Sequence, residues 1–272
     1  VRPVQTRENF IYTTIGNAPC YHTPTQCDKD FCIFAPRVIN GVIFKMHYSE
    51  LEILYEDNHI IAINKPVGLM VQSDKAGNIG LDDIIKEYLR VKYNKKGEAF
   101  LGVAHRIDRP VSGVVIFAKR SKPLKRLNEM FREKEIKKTY WAVVANRPDK
   151  LEGHLLHWLK KNEQKNISHA YEQEVKGSLQ CELDYKWIKS LDNYHLLEID
   201  PHTGRHHQIR VQLSKMGWPI KGDVKYGARR GNTDGSIHLH ARKIQFKHPA
   251  TDQLIEIVAP PPQGDSIWKA VS

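Results

Sequence analysis

Apolar and polar positions change period several times along this 272-residue chain. Short apolar runs at 51–55 and 59–64 predict two strands. Between 81 and 93 the period lengthens, and Ile84, Ile85, Tyr88 and Leu89 fall on one face of an amphipathic helix. The run Val114 to Ala118 predicts a strand. A second helix follows over 122–133, with Leu124, Leu127 and Phe131 inward and Lys122, Lys125, Arg126 and Arg132 toward solvent. Strands are predicted over 138–145, 180–190 and 194–200, the last alternating through His195-Leu196-Leu197-Glu198-Ile199. The polar stretch Lys160 to Asn166 reads as a mobile loop. Pro201 to Gly204 leads into a helix over 206–216, Pro219 to Asp223 reads as a turn, and strands at 237–247 and 253–258 follow. No internal repeat is evident. Strands outnumber helices without alternating regularly with them, which favours α+β over a doubly wound fold.

Residues 1–46 read differently. They are rich in Thr, Asn, Pro and Cys and hold no sustained period. They are therefore set apart from 47–272 as an N-terminal extension. Charge sharpens the contrast. The chain carries a formal +11, but residues 1–50 hold five Lys/Arg and four Asp/Glu, which leaves a net +10 for the remainder. A basic globular domain favours polyanions, although charge alone does not separate RNA, DNA and an anionic membrane face. Nowhere do roughly 18 consecutive apolar residues occur, so no spanning helix is expected. The N-terminus lacks an evident signal segment. Four cysteines, at 20, 27, 32 and 181, are too few for a disulfide scaffold at this size, and the expected compartment is the cytoplasm. Cys20, His22, Cys27 and Cys32 do not match a recognised zinc-finger spacing.

The densest chemistry lies at Ala104-His105-Arg106-Ile107-Asp108-Arg109-Pro110-Val111-Ser112-Gly113. One carboxylate sits there among cationic side chains at the mouth of a strand. Positive neighbours favour its ionised form and poise it as a nucleophile or base. Residue types alone leave a surface ion pair equally open.

The wider pattern bears on that choice. His105-Arg106-Ile107-Asp108, followed by Ser112-Gly113 and Val114 to Lys119, resembles the signature of the RluA-type RNA pseudouridine synthases. Further similar blocks are Ile53 to Asp57, Ile63 to Leu69, Lys137 to Val144, Thr203 to Arg210, Gly222 to Gly227 and Leu239 to Ala241, with Ile244 to Pro249 behind. Ordered blocks over roughly residues 51–260 are far more specific than any single motif. The resemblance implies the pseudouridine synthase fold: an α+β domain at 47–272 with a bent, mostly antiparallel mixed sheet around a central cleft. Many relatives carry an RNA-binding S4 domain before this one. Residues 1–46 show no convincing one, and an accessory element, a partly ordered extension and a stretch upstream of a natural start at Met46 all stay open.

The implied reaction isomerises specific uridines of ribosomal or transfer RNA to pseudouridine. The bond from ribose C1′ to N1 breaks, the base turns, C1′ rejoins at C5, and the C5 proton leaves. No cofactor or metal is expected, and the sequence has no Walker loop, dinucleotide turn or HExxH. Asp108 matches the family's catalytic carboxylate; whether it attacks C1′ or removes a ribose proton stays open. Tyr140 matches the active-site tyrosine, whose ring lies against the base. Arg210 matches the arginine that pairs with the catalytic Asp, where a bidentate fork would orient it. Arg106 matches the residue linked to extrusion of the target nucleotide. Arg109, His207 and Gln208 are further RNA-binding candidates, and Arg205 is placed at a helix start where backbone amides favour phosphate.

His206 and His207 fall inside the Arg210 block and His202 immediately before it, so for these three RNA or structural contacts are preferred to a metal cluster. Three positions depart from the common pattern. Val111 stands for Thr, His206 for a smaller or other polar residue, and Gln212 for His, which puts fine substrate contacts in question. A monomer without membrane attachment is expected. Two readings compete with the isomerase: a non-catalytic RNA-binding or ribosome-assembly protein on the same fold, and a metal-dependent hydrolase built on the histidines.

Overall fold

The computed structural model describes residues 46–74 and 76–271, together with the backbone of four short strands nearer the N-terminus. The chain divides into two compact units, Val1–Met46 and His47–Ser272. In the first, β1 (Ile11–Thr14) pairs antiparallel with β2 (Pro19–His22), and β3 (Arg37–Ile39) with β4 (Val42–Phe44). The side chains of Cys20 and His22, and all of Cys27 and Cys32, lie outside the described residues.

The second unit is built on one eleven-stranded sheet. Its elements in chain order are β5 (Ile53–Glu56), β6 (Ile60–Lys65), α1 (Leu81–Lys92), β7 (Gly102–Val103), β8 (Ser112–Ala118), α2 (Ser121–Arg132), β9 (Lys137–Val144) and β10 (Glu152–Asn162). Then follow β11 (Ile167–Tyr171), β12 (Leu179–Ser190), β13 (His195–Pro201), α3 (Gln208–Lys215), β14 (Leu239–Lys247), β15 (Leu254–Val258) and α4 (Ser266–Val271). Neighbouring strands run β11-β10-β12-β13-β9-β14-β8-β6-β5, with β15 also on β14 and β7 also on β8. Among the described ladders only β14 with β8 is parallel. The architecture is the α+β class that the order of strands and helices predicts, with the mostly antiparallel mixed sheet that the resemblance implies.

The two halves of the sheet meet at β14. Its start, His240 and Ala241, lies beside Ser112 and Gly113 of β8, while Lys243 to Lys247 pair with β15 instead. Gly113 makes the close approach possible. Its φ is +116°, and a Cβ there would fall 2.3 Å from the Ala241 carbonyl oxygen, so no larger residue fits the junction. Every residue of β8 is buried. The core beneath it joins Ile60 to Ile63 with Ile85 and Leu89 of α1 and Leu127 and Met130 of α2. The apolar faces read from the helix period are thus the ones that cover the central strands.

Two expectations fail locally. Lys160 to Asn162 are not loop but the end of β10, which turns through residues 163–166 into β11. The predicted helix at 206 begins only at Gln208, because His207 takes a left-handed conformation at φ 55°. Among the described residues no helix is long and apolar enough to cross a membrane.

Candidate active site

Asp108 lies in the loop between β7 and β8, and several independent contacts hold that loop. The Val111 N–H donates to the Asp108 carbonyl (3.0 Å), closing a four-residue turn. Behind it, the Gly68 N–H (2.9 Å) and the Lys65 ammonium (3.3 Å) both donate to the Arg109 carbonyl. Lys65 is fully buried and also donates to the Pro66 and Leu69 carbonyls at 2.8 Å. Burial pushes its pKa down to about 7, partly offset by the Asp108 charge.

His105 supplies another anchor. On this edge of β8, β14 occupies Ser112 and Gly113 and β7 occupies Phe117 and Ala118, so neither strand pairs with the stretch between. The His105 Nε2 accepts the Ile116 N–H there at 3.0 Å, with the ring 4.8 Å from that of Phe131. Burial, and then the Lys138 charge, push the imidazole down to about 3, so it is a neutral acceptor.

Arg210 reaches this loop from α3. Read from period alone, an arginine four residues before Ser214 would face solvent; instead it is 5% exposed. Its Nη1 donates to Asp108 Oδ2 at 2.9 Å. The bidentate fork goes elsewhere: Nε and Nη2 donate to Asp223 Oδ2 (2.7 Å) and Oδ1 (2.8 Å). The expected clamp on Asp108 is therefore a single bond, and Asp223, which sequence reasoning left without a role, holds the guanidinium. Burial disfavours the Arg210 charge, but the two carboxylates outweigh it and hold it above its ordinary range. Asp108 Oδ1 accepts no hydrogen bond from the described residues, so one carboxylate oxygen is left for a substrate.

His207 stands on the other side of Asp108, with Nε2 3.6 Å from Oδ2. Its Nδ1 is 2.8 Å from the Tyr226 hydroxyl, which accepts the Ser168 N–H at 2.8 Å. Tyr226 satisfies both neighbours by donating to Nδ1, which leaves the His207 proton on Nε2, toward Asp108. Burial pushes His207 well down, so it faces the carboxylate as a neutral N–H. Tyr140, on β9 opposite Ala241 and Ile199, completes the group. Burial and the Asp108 charge raise its pKa, so it is a neutral phenol; its hydroxyl has no partner among the described residues.

Asp108, Tyr140 and Arg210 line one cavity of about 1120 Å³, which also takes in Arg106, Arg205, His207 and Gln208. Arg106 is exposed and makes no ion pair or hydrogen bond with the described residues. Arg205 is exposed, but its N–H is taken by Gln208 Oε1 (3.0 Å), so that amide is not free for phosphate. Gln208 is buried and also accepts from Thr203 and donates to the Glu182 carbonyl, which makes it a brace of the 203–208 loop. Arg109 lies outside the cavity lining and donates to the Gly68 carbonyl at 2.8 Å. Of the departures, Val111 and His206 line the cavity, with His206 stacked 3.7 Å from His207. Gln212 is fully buried instead, donating to the Leu155 carbonyl (3.2 Å) and paired with His157. It is a core residue, not a substrate contact.

The sequence profile of the family described as RNA pseudouridylate synthase matches residues 59–215, which include Asp108, Tyr140 and Arg210. The chain belongs to that family. It is 36% identical over 229 residues to ribosomal large subunit pseudouridine synthase C of Vibrio vulnificus (strain CMCP6), covering 80% of this chain and 68% of that one. It is 32% identical over 219 residues to an uncharacterized RNA pseudouridine synthase of Bacillus subtilis (strain 168), covering 79% and 70%. Among solved structures, human RNA pseudouridylate synthase domain containing 4 matches with a TM-score of 0.65 at 25% identity, covering 78% of this chain and 89% of that one. The family is one of RNA-modifying isomerases, and the enzyme shares its mixed-sheet fold.

Proposed function

We propose that the enzyme isomerises uridines of ribosomal or transfer RNA to pseudouridine, with Asp108 as the catalytic carboxylate and residues 47–272 as the catalytic domain. One observation carries this reading. Asp108 is fixed through one oxygen by a guanidinium that is itself locked by a buried carboxylate, while its other oxygen is left open in a cavity large enough for a nucleotide. A binding module has no need of such an arrangement. Fixing a reacting group before the substrate arrives is how a site lowers a barrier without reorganising.

In this reading Asp108 Oδ1 acts at the ribose, Arg210 orients the carboxylate, and the Tyr140 ring supports the uracil as it turns over. Tyr140 enters the cycle as a neutral phenol, so it can receive the C5 proton only if its own proton leaves first. Its ring is therefore the part available throughout. His207 offers a neutral N–H beside the carboxylate. A target base has to leave its stack to reach Asp108, and Arg106, exposed at the rim and without an ion pair among the described residues, is suited to fill the space or hold a flanking phosphate. Arg205 adds positive charge at the same rim, and Gln208 shapes that loop. Arg109 is suited to RNA backbone contact outside the cavity. The net +10 beyond residue 50 supplies long-range attraction for the polyanion. In this reading the enzyme acts as a cytoplasmic monomer that needs no cofactor.

The test is a map of pseudouridine in ribosomal and transfer RNA from cells with and without this gene, followed by restoration with purified protein. Specific sites should vanish and return. An unchanged map in both RNA classes, with no activity on either in vitro, would leave the non-catalytic RNA-binding reading in its place.

A further inference from the structure

A second group of chemically competent side chains lies on the sheet, apart from Asp108. His154 of β10 stands directly opposite Asp184 of β12, and Asp184 opposite Asp200 of β13. His202 follows Asp200 by two residues, and its N–H donates to the Glu182 carbonyl at 3.0 Å, which carries the ladder one step past the strand. The side-chain period of two thus puts His154, Asp184 and His202 on one face. The carboxylate lies between the imidazoles: Oδ1 is 2.8 Å from His154 Nδ1 and Oδ2 is 2.6 Å from His202 Nε2. All three ligand atoms lie within 4.8 Å of one another, and this is the only such grouping of three among the described residues.

We propose that His154, Asp184 and His202 form a binding site for a divalent transition metal of the zinc class. Two imidazole nitrogens and one carboxylate oxygen are a borderline donor set, suited to zinc, cobalt or nickel and unsuited to the all-oxygen preference of magnesium and calcium. The charge balances well, since one carboxylate and two neutral imidazoles leave a divalent ion with a single positive charge. Ligand atoms about 2.0–2.1 Å from a tetrahedral ion stand roughly 3.3 Å apart, so each imidazole withdraws slightly from the carboxylate while the two ring nitrogens, within 4.8 Å of each other, close to that spacing. The three side chains are about half exposed, which permits that rotation and leaves a path for entry.

Three protein ligands leave a fourth position open. Asp184 and His202 belong to the lining of the Asp108 cavity, so that position lies at its rim. The ion would tie β10, β12 and the end of β13 together beside the substrate cavity. It takes no part in the isomerisation, and the proposal does not depend on the assigned activity.

The experiment titrates the metal-free full chain with zinc by calorimetry and with cobalt by visible absorption, for wild type and for the His154→Ala/His202→Ala variant. Wild type should bind one more equivalent than the variant, and its melting temperature should rise with zinc where the variant's does not. Each single substitution should weaken the site roughly tenfold or more, at least the scale seen for supporting shells. Cobalt at this site should show no thiolate charge-transfer band, which separates it from any binding at Cys20, Cys27 or Cys32. Should the double variant not fold, His202→Asn alone carries the comparison. Equal stoichiometry and affinity in wild type and variant would overturn the proposal.

Discussion

Substituting Asp223 by Asn probes how the enzyme holds its carboxylate. Asp223 is 1% exposed and cannot touch RNA, yet it makes both bonds of the Arg210 fork. Asn keeps the shape and one acceptor but removes the charge and turns an N–H₂ group toward a guanidinium N–H. Breaking one partner of a buried pair costs about 3–5 kcal/mol when the other charge is left uncompensated, and Asp108, still bonded to Arg210, places this case toward the lower end. For a unit of this size that is a fall in melting temperature on the order of 10 °C. Released from Asp223, Arg210 is free to swing its fork onto Asp108 and take up the open Oδ1. A misplacement of about 1 Å in a reacting group costs on the order of 100-fold in rate. Single-turnover pseudouridine formation, filter binding of the same RNA and thermal melting should therefore separate: chemistry down about 100-fold, affinity within a few-fold, stability clearly lower. An Asp223→Asn enzyme with wild-type turnover and melting would refute the claim that this fork positions Arg210.

Other perturbations follow from the same geometry. His105→Phe keeps the packing on Phe131 but orphans the Ile116 N–H, so it should lose about 1–3 kcal/mol in urea unfolding and slow turnover through a loosened Asp108 loop. Stability and rate equal to wild type would remove His105 from that role. For Lys65 the unfolded pKa is 10.5 and the folded value about 7, so between these the unfolded chain holds more protons and stability rises with pH. The unfolding free energy of wild type relative to Lys65→Met should thus climb by about 1.4 kcal/mol per pH unit from pH 7 toward pH 10, and a flat difference would contradict it. A chain beginning at Met46 should melt and turn over like the full chain, since all contacts named around Asp108 come from His47 onward; an insoluble or inactive product would make the first unit part of the working enzyme.

Sequence and structure agree best where chemistry and period coincide. Asp108, Tyr140 and Arg210 lie far apart in the chain and share one cavity, as the ordered blocks imply. What escaped is explained by polar residues turned inward. In α3, Gln208, Arg210 and Gln212 are all buried, so hydropathy cannot show which face is internal. In β10, Leu156 is 41% exposed while the neighbouring His157 is 5% exposed, which inverts the alternation and hides the strand. Asp223 looked like a turn residue because nothing in its neighbourhood reports a partner thirteen positions earlier on a helix. The left-handed His207 carries no glycine to mark it, so the helix start was set two residues early.

The central claim is that Asp108, through its unengaged oxygen, performs the isomerisation. It is tested most directly by tritium release from RNA labelled at uridine C5, comparing wild type with Asp108→Asn at equal RNA occupancy. Asn preserves shape and can still take the Arg210 hydrogen bond through its carbonyl oxygen, but it carries no reactive charge. Release should fall to background in the variant while RNA affinity stays within a few-fold of wild type. Measurable turnover by Asp108→Asn would contradict the account.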